Sequence, residues 1–211
     1  QISNSGRNFV VVNNTEEFGT GLVGSLTRDP IVFATTGSRY AFSSIDGSNR
    51  NFLTIVDGKN VLPAGFSPIG DTLDFSDDGS RYAMMMNVAG RNDSGGLLID
   101  GTLNNDLSPG LFGGTNWMNP TRNLYFKWSS HGKYLARMGR RADNSGGLFI
   151  NERLAYPTTL QVMYPTFTPD GEHLFWLATV RATDRPQLDY MVYSDGAEIV
   201  RLRGDPFQGI K

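Results

Sequence analysis

Apolar residues along this chain come in short bursts, not in helical stripes. "FVVV" (9–12), "YAFSS" (40–44), "YAMMM" (82–86), "YLARM" (134–138) and "LFWLA" (174–178) each follow a polar turn that contains glycine. A second set of bursts follows after polar stretches of variable length: "FLTIVDG" (52–58), "GLLIDG" (96–101), "GLFINE" (147–152) and "DYMVYSDG" (189–196). No run of a dozen residues keeps a 3.6-residue period free of glycine and proline, so the pattern predicts strands throughout. Most of the second bursts end in Asp-Gly, a hairpin signal, because Asp bonds to nearby backbone and Gly accepts positive φ.

The bursts repeat. The turn glycines Gly6, Gly37, Gly79, Gly132 and Gly171 are spaced by 31, 42, 53 and 39 residues. Phe33, Phe75, Trp128 and Phe167 stand four residues before the last four of them, with Ile2 in that place in the first unit. The pair "GRNDSGGLLID" (90–100) and "GRRADNSGGLFIN" (139–151) indicates internal duplication. Each unit reads as strand, tight turn, strand, variable loop, strand, Asp-Gly turn, strand, with "NVLPAGF" (60–66) and "AEIVRLR" (197–203) as outer strands. Four short strands recurring about every 40 residues predict an all-β fold, a β-propeller of four-stranded antiparallel blades.

"FTPDGEHLFWLA…DYMVYSDG" resembles the WD40-like repeat with an S-P-D-G turn found in TolB-like and tricorn-like propellers. The other copies, with "DDG", "TTG", "SHG" or "NSG" turns, are degenerate. The resemblance implies a propeller scaffold and no particular activity. Five aligned turns predict five blades, at about 1–28, 29–67, 68–117, 118–160 and 161–205; the alternative is part of a six- to eight-bladed ring. The first unit is short, and an N-terminal strand completing the last blade is the expected closure.

Blade topology separates two rims. Turns between strands one and two and between three and four are short and stereotyped. The two-to-three loops at 43–51, 87–96, 139–147 and 179–187 are long and irregular, and the large insertion 104–122 should reach the same rim. Variable loops on a rigid scaffold are where binding sites usually lie. These loops carry Arg50, Arg91, Arg140, Arg141, Arg181 and Arg185, and arginine outnumbers lysine 15 to 4 over the chain. Arginine forks match carboxylates and phosphates, which predicts an anionic protein or glycan partner. Asp46, Asp93, Asp143 and Asp184 in the same loops offer the alternative of local ion pairs. Asn92, Asp93 and Asn144 complete the candidate binding set, with Trp117 as the candidate exposed aromatic.

Bulk properties narrow the classes. The chain has 211 residues, 39% hydrophobic, with formal net charge -2. That is a globular composition with no polycation to bind nucleic acid without sequence preference, and no run is long enough to span a membrane as a helix. There is no cysteine, which removes disulfides, thiolate metal sites and a cysteine nucleophile. His131 and His173 have no metal-binding spacing, no G-x-S-x-G elbow accompanies them, and Asp74 is the one acid on the expected inner strands (72–75, 124–128, 163–167). The Asp/Asn-rich loops lack calcium-loop spacing. No catalytic residue, metal or cofactor is predicted. Met84, Met85 and Met86 are expected to pack alternately against opposite neighbouring blades. The chain starts at Gln1, which reads as a chain whose leader was removed or as a piece of something longer, the preferred expectation being an exported mature protein outside the cytoplasm. The function read from these features is a non-catalytic binding or interaction propeller. The alternatives are a self-assembling structural subunit of a surface layer, sheath or appendage, and a carbohydrate-active enzyme or lectin.

Overall fold

The computed structural model describes the backbone at residues 2–4, 7–12, 15–22, 31–45, 52–69, 72–88, 95–104, 126–140, 146–158, 161–181 and 188–203. Strands β1 (Ile2–Asn4), β2 (Arg7–Val12) and β3 (Thr15–Leu22) form a three-stranded sheet. The second sheet has β4 (Val32–Phe33), β5 (Tyr40–Ile45), β6 (Phe52–Val56) and β7 (Lys59–Asn60). In the third, β8 (Phe66–Pro68) and β9 (Asp74–Phe75) both pair with β10 (Tyr82–Val88), followed by β11 (Gly95–Ile99) and β12 (Thr102–Asn104). The fourth holds β13 (Phe126–Trp128), β14 (Leu135–Arg140), β15 (Gly146–Ile150) and β16 (Arg153–Pro157), and the fifth β17 (Gln161–Phe167), β18 (Leu174–Arg181), β19 (Leu188–Ser194) and β20 (Ala197–Arg203). Every pairing is antiparallel between chain neighbours, apart from the split inner strand β8/β9. The described residues contain no α-helix, only a 3-10 turn at Ser130–Gly132. This is an all-β propeller of about five antiparallel blades.

Packing runs from sheet to sheet. Ala41 and Val56 of the second sheet meet Phe75, Tyr82, Met84 and Met86 of the third. Ala83, Met85 and Leu97 of the third meet Phe126, Trp128 and Leu135 of the fourth. Ala136, Met138 and Leu148 of the fourth meet Leu174 and Trp176 of the fifth. Strand alternation puts successive side chains on opposite faces, so Met84 and Met86 face backwards and Met85 forwards. Each such fully buried apolar side chain contributes about 1.5–3 kcal/mol, so the seams between blades are the core.

Two details differ from the sequence reading. Phe66, read there as the end of an outer strand, instead opens the inner strand of the third sheet opposite Val88. Pro63 and Gly65 break the run 60–66, which leaves β7 only two residues. The fifth sheet is completed by its own four strands, while β1 pairs with β2. Among the described residues no N-terminal strand joins the fifth sheet. Trp128 is buried at its repeat position as expected, whereas Phe33 at the same position is 62% exposed.

Candidate functional site

One rim is built from the short turns, and a single device recurs along it. The residue closing strand three accepts the amide of the first residue of strand two, and in three of the blades it also pairs with the side chain just before it. Asp57 receives Arg39 Nε at 2.7 Å and the Tyr40 amide at 3.1 Å. Asp100 receives Arg81 Nε at 2.8 Å and the Tyr82 amide at 2.8 Å. Asp195 lies 2.7 Å from His173 Nδ1 and accepts the Leu174 amide at 2.9 Å. Asn151 accepts the Leu135 amide at 2.9 Å and donates to Lys133 O. The clasp ties both hairpin turns of a blade together, and its acceptor sits at positive φ in all four blades.

The clasp also reaches forwards. Arg39 Nη1 donates to Gly79 O and Ser80 O of the next blade at 2.9 and 3.0 Å, and its guanidinium stacks over Phe75 and Tyr82. Arg81 repeats this on Gly132 O at 3.4 Å and over the Trp128 ring at 4.8 Å. Thr36 Oγ1 donates to Asp77 O across the seam between the second and third blades, and Ser130 Oγ to Pro169 O across the seam between the fourth and fifth. In the fourth blade, where Tyr134 stands in place of that arginine, its ring stacks on Phe167 instead. The repeat aromatic is thus the platform for the preceding blade's cation or ring. The repeat glycine has a second reason to be glycine. A Cβ on Gly79 would stand 2.7 Å from Thr36 O and 2.9 Å from Ala34 Cβ, at φ +68.

Inside the turns, carboxylates cap backbone and hydroxyl donors. Asp78 Oδ1 accepts Ser76 Oγ, the Ser80 amide and Ser80 Oγ, and these bonds lower its pKa from 3.8 to about 2, Ser76 contributing most. Asp170 is lowered for the same reason, by Thr168 Oγ1 first and the Glu172 amide second.

The His173–Asp195 clasp is the titratable member of the series. The Asp195 hydrogen bond and charge raise the His173 pKa above 6.5, and Asp170 and Glu172 nearby push it the same way. Asp195 is lowered below 3.8, first by the Leu174 amide. A raised histidine stabilises the fold fully below its unfolded pKa, and that contribution fades as pH rises through the folded value. The lowered aspartate works at the other end, losing its contribution as pH falls through its folded pKa. His173→Arg installs the cation of blades two and three. Its Tm should therefore fall less than that of the wild-type protein between pH 6 and 9, measured by circular dichroism melts. Parallel Tm–pH curves would show that the clasp contributes nothing through charge. Ser194 Oγ approaches Asp195 Oδ2 at 3.4 Å and not the imidazole, and the repeat accounts for the His–Asp contact as an Arg–Asp clasp with one substitution.

The opposite rim is where the strands deliver the irregular loops. β5, β10, β14 and β18 end there at Ile45, Val88, Arg140 and Arg181. Arg140 and Arg181, read from sequence as loop residues, close β14 and β18, because both strands run further than the polar residues suggest. Arg50, Arg91, Asn92, Asp93, Trp117, Arg141, Asn144 and Arg185 lie outside the described residues, as do the Asp/Asn-rich stretches considered for calcium. The structure therefore brings Arg140 and Arg181 to one rim as strand ends and places no other candidate. Among the described residues no group of three or more His, Cys, Asp or Glu is arranged to hold a metal ion, and no helix is long and apolar enough to cross a membrane.

Sequence reasoning missed the clasp. Its signal was present in "SRY" at the same offset in two units (38–40 and 80–82), each followed by an Asp-Gly at the end of the next strand.

No family model matches the chain, and no curated protein matches it in sequence. Among solved structures it is similar to a chain from a structural and mechanistic study of two prolyl endopeptidases and the role of inter-domain dynamics in their catalysis and specificity. That similarity has a TM-score of 0.47 at 12% identity and covers 82% of this chain and 28% of that one. This chain spans less than a third of that protein's length, and a likeness at this level assigns it no activity.

Proposed function

We propose that this chain is a non-catalytic binding or interaction propeller that works through the irregular-loop rim, on an anionic protein or glycan partner. The supporting observation is how the other rim is occupied. Arg39, Arg81, Asp57, Asp78, Asp100, Asp170, His173 and Asp195 are engaged in holding turns and neighbouring blades together. Side chains spent on the scaffold are poor ligand contacts, since a ligand must first break their bonds. The loop rim carries arginines at the ends of two second strands and more in the loops that follow. The repeat type proposed is the WD40-like one with the S-P-D-G turn, in a protein working outside the cytoplasm without catalysis of its own.

The test is charge reversal at that rim. Arg140→Glu with Arg141→Glu should elute from a heparin column at clearly lower salt than the wild-type protein, with an unchanged Tm. Arginine contacts to anions are salt-dependent and additive to first order. Equal elution of the two proteins would remove the arginine-rim proposal.

A second reading, a self-assembling structural subunit, is favoured by β20. Its seven residues are all exposed, including Ile199, Val200 and Leu202, whereas β7 and β12 are two and three residues long and β16 ends in Pro157. Long apolar edge strands are what proteins normally blunt. Light scattering separates the two readings: large assemblies support the subunit, and a monodisperse monomer at high concentration supports the binding module.

A further inference from the structure

The fourth blade departs from the repeat at two positions at once, and the two departures touch. Five residues after the turn glycine the other blades carry Phe42, Met84 and Trp176, all buried core. The fourth carries Arg137, whose side chain is 5% exposed. After the clasp acceptor the other blades carry Gly58, Gly101 and Gly196; the fourth carries Glu152, held at φ 67. A left-handed glutamate is strained where glycine is not. Arg137 Nε and Nη2 donate side-on to Glu152 Oε1 and Oε2 at 2.8 and 2.7 Å. Asn104, at the end of β12 in the third blade, donates to Glu152 from across the seam. Phe149 lies beneath the guanidinium at 4.3 Å.

The pairing uses one edge of the guanidinium and leaves the other. Among the described residues Arg137 Nη1, which is buried, meets no acceptor, and the same holds for Trp128 Nε1. Arg137 is opposite Phe126, and Trp128 opposite Leu135, in the β13–β14 ladder. The two are therefore diagonal neighbours on one face, within reach of long side chains, and that face is the seam against the third blade. Phe33, Phe75 and Phe167 show that the repeat accepts phenylalanine where Trp128 stands, so the indole N–H is a further departure of this blade.

Buried donors without acceptors are rare and costly. Three linked departures that create them in one seam are not explained by packing, which apolar residues satisfy in the other blades. The unfilled groups are all donors. Water would bring two O–H donors of its own needing acceptors, whereas an ionised carboxylate only accepts. The free end-on edge of a guanidinium matches the two oxygens of a carboxylate in bidentate geometry. Glu152 is 25% exposed, so its charge stays partly solvated, and the Asn104 amide donates a hydrogen bond to it.

We propose that the seam between the third and fourth blades holds a buried site for a small planar carboxylate of about formate size. It is bound by the end-on edge of Arg137 and the indole N–H of Trp128, with Glu152 and Asn104 orienting the guanidinium. The site is distinct from the loop rim and does not depend on that reading.

Formate is the probe, titrated at constant ionic strength against sulfate and against neutral acetamide. Wild-type protein should show a saturable rise in Tm, about 5 °C at a hundred-fold excess over Kd. One indole N–H peak of the three tryptophans should shift in parallel in an NMR spectrum, and be absent in Trp128→Phe. Two variants restore the repeat's own residues and are therefore expected to fold. Arg137→Met with Glu152→Gly should lose the response, and Trp128→Phe should weaken formate about ten-fold, the effect of one hydrogen bond to a charged group. The proposal is overturned by no saturable response in the wild-type protein. It is equally overturned by an undiminished response in the double variant, or by acetamide acting as well as formate.

Discussion

Gly147→Ala is expected to cost about 4 kcal/mol and lower Tm by roughly 10 °C. Gly147 has φ +147, a conformation that side-chain-bearing residues rarely adopt, and a Cβ there would stand 2.1 Å from Tyr156 O. Pro157 Cα and Thr158 N follow at 3.0 Å. All three obstacles are backbone, two in the paired strand β16, where Pro157 is opposite Gly147 in the ladder, and one in the residue just after it, so no side chain can swing aside. Gly65→Ala is the control. Gly65 also has positive φ, +82, but nothing within 4 Å of a new Cβ, so its replacement should cost only about 1 kcal/mol, the left-handed penalty alone. Urea unfolding of the two variants gives both numbers on one scale. A difference under about 1 kcal/mol would mean that the β15–β16 edge gives way to the methyl group.

Much of the scaffold was legible because it is repeated. Phe75, Trp128 and Phe167 announce the inner strands, Asp-Gly pairs announce the outer hairpins, and the Met84–Met86 run packs to alternate sides as strand geometry demands. What failed to read was what repetition does not carry. The break at Pro63 and Gly65 moves Phe66 into the next sheet, a choice made by pairing with Val88 and not by local propensity. The arginine of the clasps in the second and third blades was legible as a repeated letter, but its bonds to Gly79 O and Gly132 O join residues 40 and 51 positions apart. Only the packing of one blade on the next brings those together. For the candidate site, the sequence named loops, and the structure describes only the strand ends Arg140 and Arg181 that lead into them. The Arg137–Glu152 pair was hidden differently. Glu152 was visible as an Asp-Gly that had lost its glycine, and Arg137 as a charge inside an apolar burst, but neither alone suggested that they compensate each other.

That compensation predicts the second large effect. Glu152→Ala leaves a guanidinium whose side chain is 5% exposed without its carboxylate, at an expected cost of 3–5 kcal/mol, on the order of 10 °C in Tm. Two further variants separate the pair from the backbone. Glu152→Gly loses the same carboxylate but relieves the positive φ, so it should be about 1 kcal/mol less damaging than Glu152→Ala. Arg137→Met with Glu152→Gly removes both charges and restores the residues used by the third blade. Replacing a buried ion pair by apolar groups of similar volume is often neutral or stabilising, so the double variant should recover to within about 1 kcal/mol of the wild-type protein or exceed it. The coupling energy from this cycle then measures the pair itself. A double variant as unstable as Glu152→Ala would place the cost in lost shape at the seam, and Arg137 would be packing there mainly through its alkyl stem and the Phe149 ring. Recovery would instead identify a charge pair that the fold can do without, retained in one blade at the expense of a strained backbone.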